Sequence, residues 1–275
     1  MRPIEVRGLR KRYGAHPAVD GIDLDVEPGE VFALLGPNGA GKTTTVEILE
    51  GHRRRDGGEV RVLGEDPGAA GRRWRARIGV VLQTAADAAE LTVRESVRHY
   101  GGYYPSRRDP DEVIAAVGLT EKAGARVRSL SGGQRRRLDV ALGIVGRPEL
   151  VFLDEPTTGF DPEARRRFWD LIRSLAADGT TILLTTHYLD EAEALAGRLA
   201  VLAGGRIVAA GTPATVGGRD RAQAVVSWRD ADGRHEVRTG EPDAVVAGLG
   251  AGFTDLRVTR PTLEDVYLSL IGADR

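Results

Sequence analysis

Chemistry is possible at a few places in this sequence, and the first is Gly36-Pro37-Asn38-Gly39-Ala40-Gly41-Lys42-Thr43-Thr44. Its spacing fits G-x-x-x-x-G-K-[ST], and it lies between an all-apolar run, Val31 to Leu35, and a helix-forming run, Thr44 to Leu49. In that setting backbone N–H groups cradle phosphates, Lys42 reaches the terminal phosphates, and the Thr43 hydroxyl is offered to Mg²⁺. A plain glycine turn before a helix is the alternative, and the strand-to-helix context disfavours it. Lys42 also runs against a bias: of 39 basic residues, only Lys11, Lys42 and Lys122 are lysines. A lysine kept in an arginine-rich chain marks a site that needs a compact ammonium rather than a planar fork.

Val151 to Glu155 is an apolar strand ending in two adjacent carboxylates. Ligands of doubly wound sheets sit beyond the carboxyl ends of strands. Asp154 can there orient Mg²⁺, and Glu155 can take a proton from an attacking water. His187 follows the run Thr181 to Thr186 and projects at the same edge, placed to donate to a terminal phosphate. Gln83, after Ile78 to Leu82, sits at another strand end, where its amide could orient a water or complete the Mg²⁺ shell. Tyr13 precedes a glycine and could stack on a base, although a turn role is the commoner one. A second anion site is suggested at Leu130-Ser131-Gly132-Gly133-Gln134, where adjacent glycines open a helix. One phosphate loop holds one nucleotide, so this second site points to ATP held by another copy.

The elements that must carry these residues follow from periodicity. Strands are expected at Ile22–Val26, Val31–Leu35, Val60–Leu63, Ile78–Leu82, Leu150–Leu153 and Thr181–Thr185, alternating with helices. That order predicts an α/β fold with a parallel-sheet core, an antiparallel part and a helical subdomain over about residues 84–146. The segment up to about residue 128 shows helices at Thr92–Tyr100 and Pro110–Val117 but no core pattern of its own. In the helix after Gly133, Leu138, Ala141, Leu142 and Val145 form one buried stripe, with the arginines mostly on the other side. A helix over Pro162–Ala177 has proline in its first turn, and hairpins are expected around Gly204-Gly205 and Asp232-Gly233. Thr262 and Asp265 have capping-box spacing ahead of a last helix. We divide the chain into a cassette domain, residues 1–217, and a small α+β accessory domain, residues 218–275.

Composition narrows the class. With 275 residues there is room for a full core plus an appendage, and a net charge of −1 gives no pull toward nucleic acid. The absence of cysteine excludes disulfides and thiolate chemistry. The polar stretch from Met1 to Gly14 does not read as a signal peptide, and no apolar run approaches a membrane span. A soluble intracellular protein is the expectation.

These motifs, in this order, resemble the ATP-binding subunit of ATP-binding-cassette transporters, over about residues 3–215. The resemblance covers the phosphate loop, the glutamine loop at Gln83, the signature 130–134, Val151–Glu155, the segment Gly159-Phe160-Asp161-Pro162 and His187. It implies that Tyr13 stacks on adenine and that Gln83 touches Mg²⁺ and faces a membrane partner. It further implies that Glu155 is the hydrolytic base, helped by His187, and that Asp161 signals between two sites. Ser131, Gly132, Gly133 and Gln134 would clasp the nucleotide of a second copy in an ATP-bound homodimer. The expected activity is ATP hydrolysis with ATP and Mg²⁺, at the cytoplasmic face of the cell membrane through an integral-membrane permease. Phe160 stands where the family usually has leucine. Residues 185–213 and the terminal Arg260–Leu270 look like two-gene exporters of the daunorubicin-resistance kind, tied to drug and antibiotic efflux. Another cargo (lipid, polysaccharide or ion) and a non-transport cassette ATPase are the alternatives. A kinase or GTPase would leave residues 130–134 and His187 unused, and a regulatory module would not need Glu155. The Leu91-Thr92-Val93 neighbourhood is expected to be an exposed docking surface.

Overall fold

The computed structural model describes residues 1–81, 90–250 and 252–272. Strands β1 (Ile4–Tyr13) and β2 (His16–Val26) form a hairpin, and β3 (Val31–Leu35) leads through the glycine loop to α1 (Lys42–Leu49). Next come β4 (Gly57–Val62), the short α2 (Arg72–Arg75) and β5 (Ile78–Val81). A helical region follows, with α3 (Val93–Gly101), α4 (Pro110–Ala116) and α5 (Gly132–Ile144). Then β6 (Leu150–Asp154), α6 (Pro162–Ala177), β7 (Thr181–Thr186) and α7 (Leu189–Leu195) alternate, before the hairpin β8 (Arg198–Ala203) and β9 (Arg206–Gly211). The last part holds β10 (Ala224–Asp230), β11 (Gly233–Thr239), α8 (Pro242–Gly248), β12 (Thr254–Thr259) and α9 (Leu263–Gly272).

The central sheet has six strands in the order β5-β6-β7-β3-β8-β9, parallel except for β9. Its middle strands are buried on both faces, and their alternate residues feed two cores. Phe32, Leu34, Phe152 and Leu183 point to the core shared with α1 and the antiparallel sheet β2-β1-β4. Ala33, Leu35, Val151, Leu153, Ile182 and Leu184 point to the other, shared with α5 and α6. The sheet is therefore sandwiched, and its strand ends are fixed from both sides.

Three expectations are corrected, and one strand gave no signal in the sequence. Within the polar N-terminal stretch lies a ten-residue strand, with Ile4, Val6 and Leu9 at 0 % exposure. A register shift between Val6 and Leu9, beside left-handed Gly8, hides the alternation. The helical region does have a core: Val93, Val97, Val113, Ile114, Val117 and Leu119 are all buried and join the core of α5. Each short helix supplies only two or three of them, so no long stripe exists to be read. In α5 the stripe widens to include Val140 and Ile144, Leu142 is only half-buried, and Arg136 lies inside at 7 % exposure. Val93 is likewise buried at the capped start of α3, while Leu91 and Thr92 are half-buried, so only part of the expected 91–93 surface is open.

A separate antiparallel sheet, β11-β10-β12, follows the left-handed pair Gly217-Gly218. A Cβ on Gly217 would lie 2.6 Å from Val266 Cγ1, so the turn is glycine because α9 crosses it closely. The capping box of α9 is present: Thr262 Oγ1 accepts from the Asp265 N–H, and Asp265 accepts from the Thr262 N–H. Leu263 and Tyr267 of α9 return to the core on the α5–α6 side. Among the described residues no helix is long and apolar enough to cross a membrane.

Trp74 is the largest fully buried side chain, and its indole N–H donates to the Val62 carbonyl at 2.7 Å. Trp74→Ala leaves a cavity and an orphaned carbonyl, and should cost about 3–5 kcal/mol of unfolding free energy in a urea titration.

Candidate nucleotide site

Three neighbouring strands end at one edge of the sheet. β3 runs into the glycine loop, β6 ends on Asp154 with Glu155 next, and β7 ends on Thr186 with His187 next. Parallel register sets Asp154 beside Thr185 and Leu35 beside Thr186. The loop closes tightly against its surroundings. A Cβ on Gly36 would lie 2.4 Å from the Leu202 carbonyl oxygen, and one on Gly41 2.3 Å from that of Ala18. Gly41 and Gly39 are left-handed, at φ 103° and 80°. Ala40 is buried beneath, while Pro37, Asn38 and Gly39 form an exposed rim and Thr44 is half-buried on α1.

Lys42 is buried, and its Nζ donates to the carbonyls of Gly36 at 2.7 Å and Pro37 at 3.2 Å. It lies 3.9 Å from Glu155 Oε1. Burial pushes its pKa down, and the charges of Glu155 and Asp154 oppose that shift. Thr43 Oγ1 donates to Asp154 Oδ2 at 3.3 Å, and the Thr185 hydroxyl donates to Asp154 Oδ1. Glu155 adopts φ 47°, a left-handed conformation that costs a side-chain-bearing residue about 1–2 kcal/mol. Its N–H is held by the carbonyl and hydroxyl oxygens of Thr185 at 3.1 and 3.2 Å. His187 Nδ1 stands 3.1 Å from Glu155 Oε1, with its ring against Tyr188.

Lys42, Thr43, Asp154, Glu155 and His187 are thus brought together. With them stand the other residues of the loop 36–44, whereas Tyr13, residues 131–134 and Asp161 lie elsewhere. Tyr13 is exposed at the end of β1, with Arg53 and Lys11 within 5.3 and 5.8 Å of its ring centre. Ser131 caps α5, and its side chain and that of Gln134 bond reciprocally to each other's backbone N–H. A Cβ on Gly132 would meet nothing within 4 Å, and one on Gly133 nothing nearer than 3.8 Å. Among the described residues, nothing demands glycine at these two positions. Asp161 caps α6 by accepting from Ala164 N–H at 2.8 Å, which holds its carboxyl below the usual range. Phe160 packs edge-on against Phe168 in the core. Gln83 lies outside the described residues.

Four residues that the sequence did not flag surround the site. Thr185, polar at the end of an apolar strand, was signalled only by that position. Arg136 reaches from α5 to the main chain of Asp154 and Pro156. Glu191, four residues past His187, is fully buried, and burial pushes its carboxyl up. Glu50, buried at the end of α1, is pushed up to about 8 by burial and by the charges of Asp154 and Glu47.

A phosphate loop with a buried lysine, facing paired carboxylates and a histidine on adjoining strand ends, defines a P-loop protein built to bind and hydrolyse a nucleoside triphosphate. A family model described as "ABC transporter" matches residues 19–158. The daunorubicin resistance ATP-binding protein DrrA3 of Streptomyces coeruleorubidus is 40% identical over 99% of this chain and 96% of its own length. The Nod factor export ATP-binding protein I of Burkholderia pseudomallei is 40% identical over 100% of this chain and 98% of its own. The chain therefore belongs to the ABC transporter family, as an ATP-binding, ATP-hydrolysing subunit. The solved ATP-binding subunit of an ABC transporter shares the fold at TM-score 0.74 and 23% identity, covering 97% of this chain and 98% of that one. A dimeric bacterial ABC transporter cassette matches at TM-score 0.69 and 23% identity, covering 76% of this chain and 98% of that one.

Glu50 supplies a pH test. Its carboxyl titrates at about 8 in the fold against the ordinary glutamate value of 4.5, so between these the folded protein keeps a proton that the unfolded chain gives up. Stability from this group is present below the lower value and falls as pH rises toward the upper one. Glu50→Gln should therefore gain on the parent between about pH 5 and pH 8 in urea titrations. A difference that does not change with pH would contradict the shift.

Proposed function

We propose that this chain is the motor of an exporter, in which two copies close face to face over two ATP molecules. Each ATP lies between residues 36–44 of one copy, with Tyr13 against adenine, and Ser131, Gly132, Gly133 and Gln134 of the other. The observation that carries the reading is the first turn of α5, where Gly132 is exposed, Gly133 is half-buried, and an added Cβ would meet nothing nearer than 3.8 Å among the described residues. In hydrolysis Glu155 takes the proton of the attacking water as its oxygen adds to the γ-phosphorus and the bond to ADP breaks. The ammonium of Lys42 stabilises charge on the terminal phosphates, and His187, in contact with Glu155, donates a hydrogen bond to the γ-phosphate. Magnesium fits the residues present, since Thr43 Oγ1 and Asp154 Oδ2 are hard oxygen donors 3.3 Å apart. When bound, it would neutralise charge on the β- and γ-phosphate oxygens. Gln83 is assigned to the same shell and to the surface facing the permease, and Asp161 to signalling between the two sites.

Closure and reopening of the dimer would drive a separate integral-membrane permease from the cytoplasmic face, through the helical region up to residue 146. Residues 218–275 are assigned as an accessory domain tied back to the cassette by α9. For cargo we favour a drug or antibiotic-like compound. Support comes from the names of relatives, including the daunorubicin/doxorubicin resistance ATP-binding protein DrrA of Streptomyces peucetius, 47% identical over 77% of this chain. Relatives named for Nod factor export, matched along the whole chain, support a second reading with that kind of cargo.

Glu155→Gln should bind ATP yet lose about a hundredfold or more in turnover, accumulating an ATP-dependent dimer on size-exclusion chromatography. Lys42→Ala should lose ATP binding itself, and Ser131→Arg should keep binding while losing the dimer and hydrolysis together. Deleting the gene should sensitise the host to the exported compound, and drug tolerance unchanged by deletion would turn the cargo assignment toward the second reading.

A further inference from the structure

The buried arginine of α5 has no part in the roles above. Arg136 stands five residues beyond Ser131, on the helix whose first turn is assigned to the other copy's nucleotide. Its side chain turns inward, at 7 % exposure. Nε donates to the Pro156 carbonyl at 3.2 Å, and Nη2 donates to the Asp154 carbonyl. Those two carbonyls belong to the residues on either side of Glu155. One planar group therefore grips the main chain before and after the acid.

That grip falls on a strained residue. Glu155 sits at φ 47°, and a conformation of this kind persists only where its surroundings over-determine it. Thr185 fixes the Glu155 N–H, and Arg136 fixes the flanking carbonyls. Burying a guanidinium is unfavourable, which is why its pKa is pushed down, and the charges of Asp139, Asp154, Glu155 and Glu191 counter that cost. A lysine could not replace it, because a point charge does not hold two carbonyls in a fixed fork.

We propose that Arg136 is a positioning residue that couples the two nucleotide sites: it sets the catalytic acid of its own subunit according to how α5 sits on the nucleotide held by the other. The inference rests on the assignments of Glu155 as base and of residues 131–133 as the clasp. When α5 seats on the partner's ATP, the guanidinium moves with the helix and turns the peptide planes around Glu155. The carboxylate then lines up beside Lys42 and His187, so occupation of one site prepares hydrolysis at the other.

The test uses the full chain with Arg136→Lys, which keeps the charge, and Arg136→Met. Four readouts decide it: melting temperature, ATP affinity, the ATP-dependent dimer in a Glu155→Gln background, and the dependence of turnover on ATP concentration. The parent should show a sigmoidal ATP dependence. Arg136→Lys should keep its ATP affinity and dimer and lose far less in melting temperature than Arg136→Met. Its kcat should drop about ten- to a hundredfold and its ATP dependence become hyperbolic. Parental turnover and cooperativity in Arg136→Lys overturn the proposal, as does a hyperbolic parent. Loss of melting temperature in step with kcat also overturns it, since that marks a purely structural arginine. If Arg136→Met does not fold, the lysine variant decides alone. A Glu155→Gln protein that still turns over would sink the base assignment instead, whereas a dead Glu155→Gln beside a normal Arg136→Lys removes only the coupling.

Discussion

Parallel pairing of β6 with β7 and of β7 with β3 is the constraint on which the site depends. It fixes Asp154 beside Thr185 and the end of β3 beside Thr186, so three chemically different strand ends meet within a few ångströms. Neither sheet face is free to relax, because alternate residues of each strand are packed into opposite cores. Fixed strand ends let a short loop, a carboxylate pair and a histidine converge although their positions in the chain are far apart. Pre-set geometry of this kind lets fixed charges act without reorganising during a reaction.

The convergence brings an electrostatic problem that the surrounding residues manage. A buried ammonium, two carboxylates at a strand end, and further buried acids at Glu50 and Glu191 share one region. Lys42 is kept near its carbonyl partners and within reach of Glu155, while Asp154 is held by two hydroxyls. Glu50 avoids adding another negative charge by holding its proton up to about 8. The density of negative charge suits a place where a positive metal and a polyphosphate would arrive together.

The parts of this arrangement that were legible in the sequence are those with short-range rules. The phosphate loop is contiguous, and its spacing alone set its place between β3 and α1. The paired acids and His187 followed apolar runs, so their strand-end positions followed as well. The helix Pro162–Ala177 was bounded by its proline start. What stayed hidden depends on long-range contact. β1 was masked by its charged outer face and by a bulge at Gly8. The core of α3 and α4 is scattered over short elements, so periodicity had too little length to act on. Arg136 looked like one of three solvent-facing arginines, because only the tertiary fold shows that two backbone carbonyls await it.

The backbone at position 155 carries a further consequence. Glycine would occupy φ 47° with little steric penalty, and a glutamate there works against the intrinsic preference of its own main chain. Selection acting on foldability alone would drift this position toward glycine and erase the acid. The residue proposed as the base thus works against local stability, and a library screened only for heat resistance would discard it early.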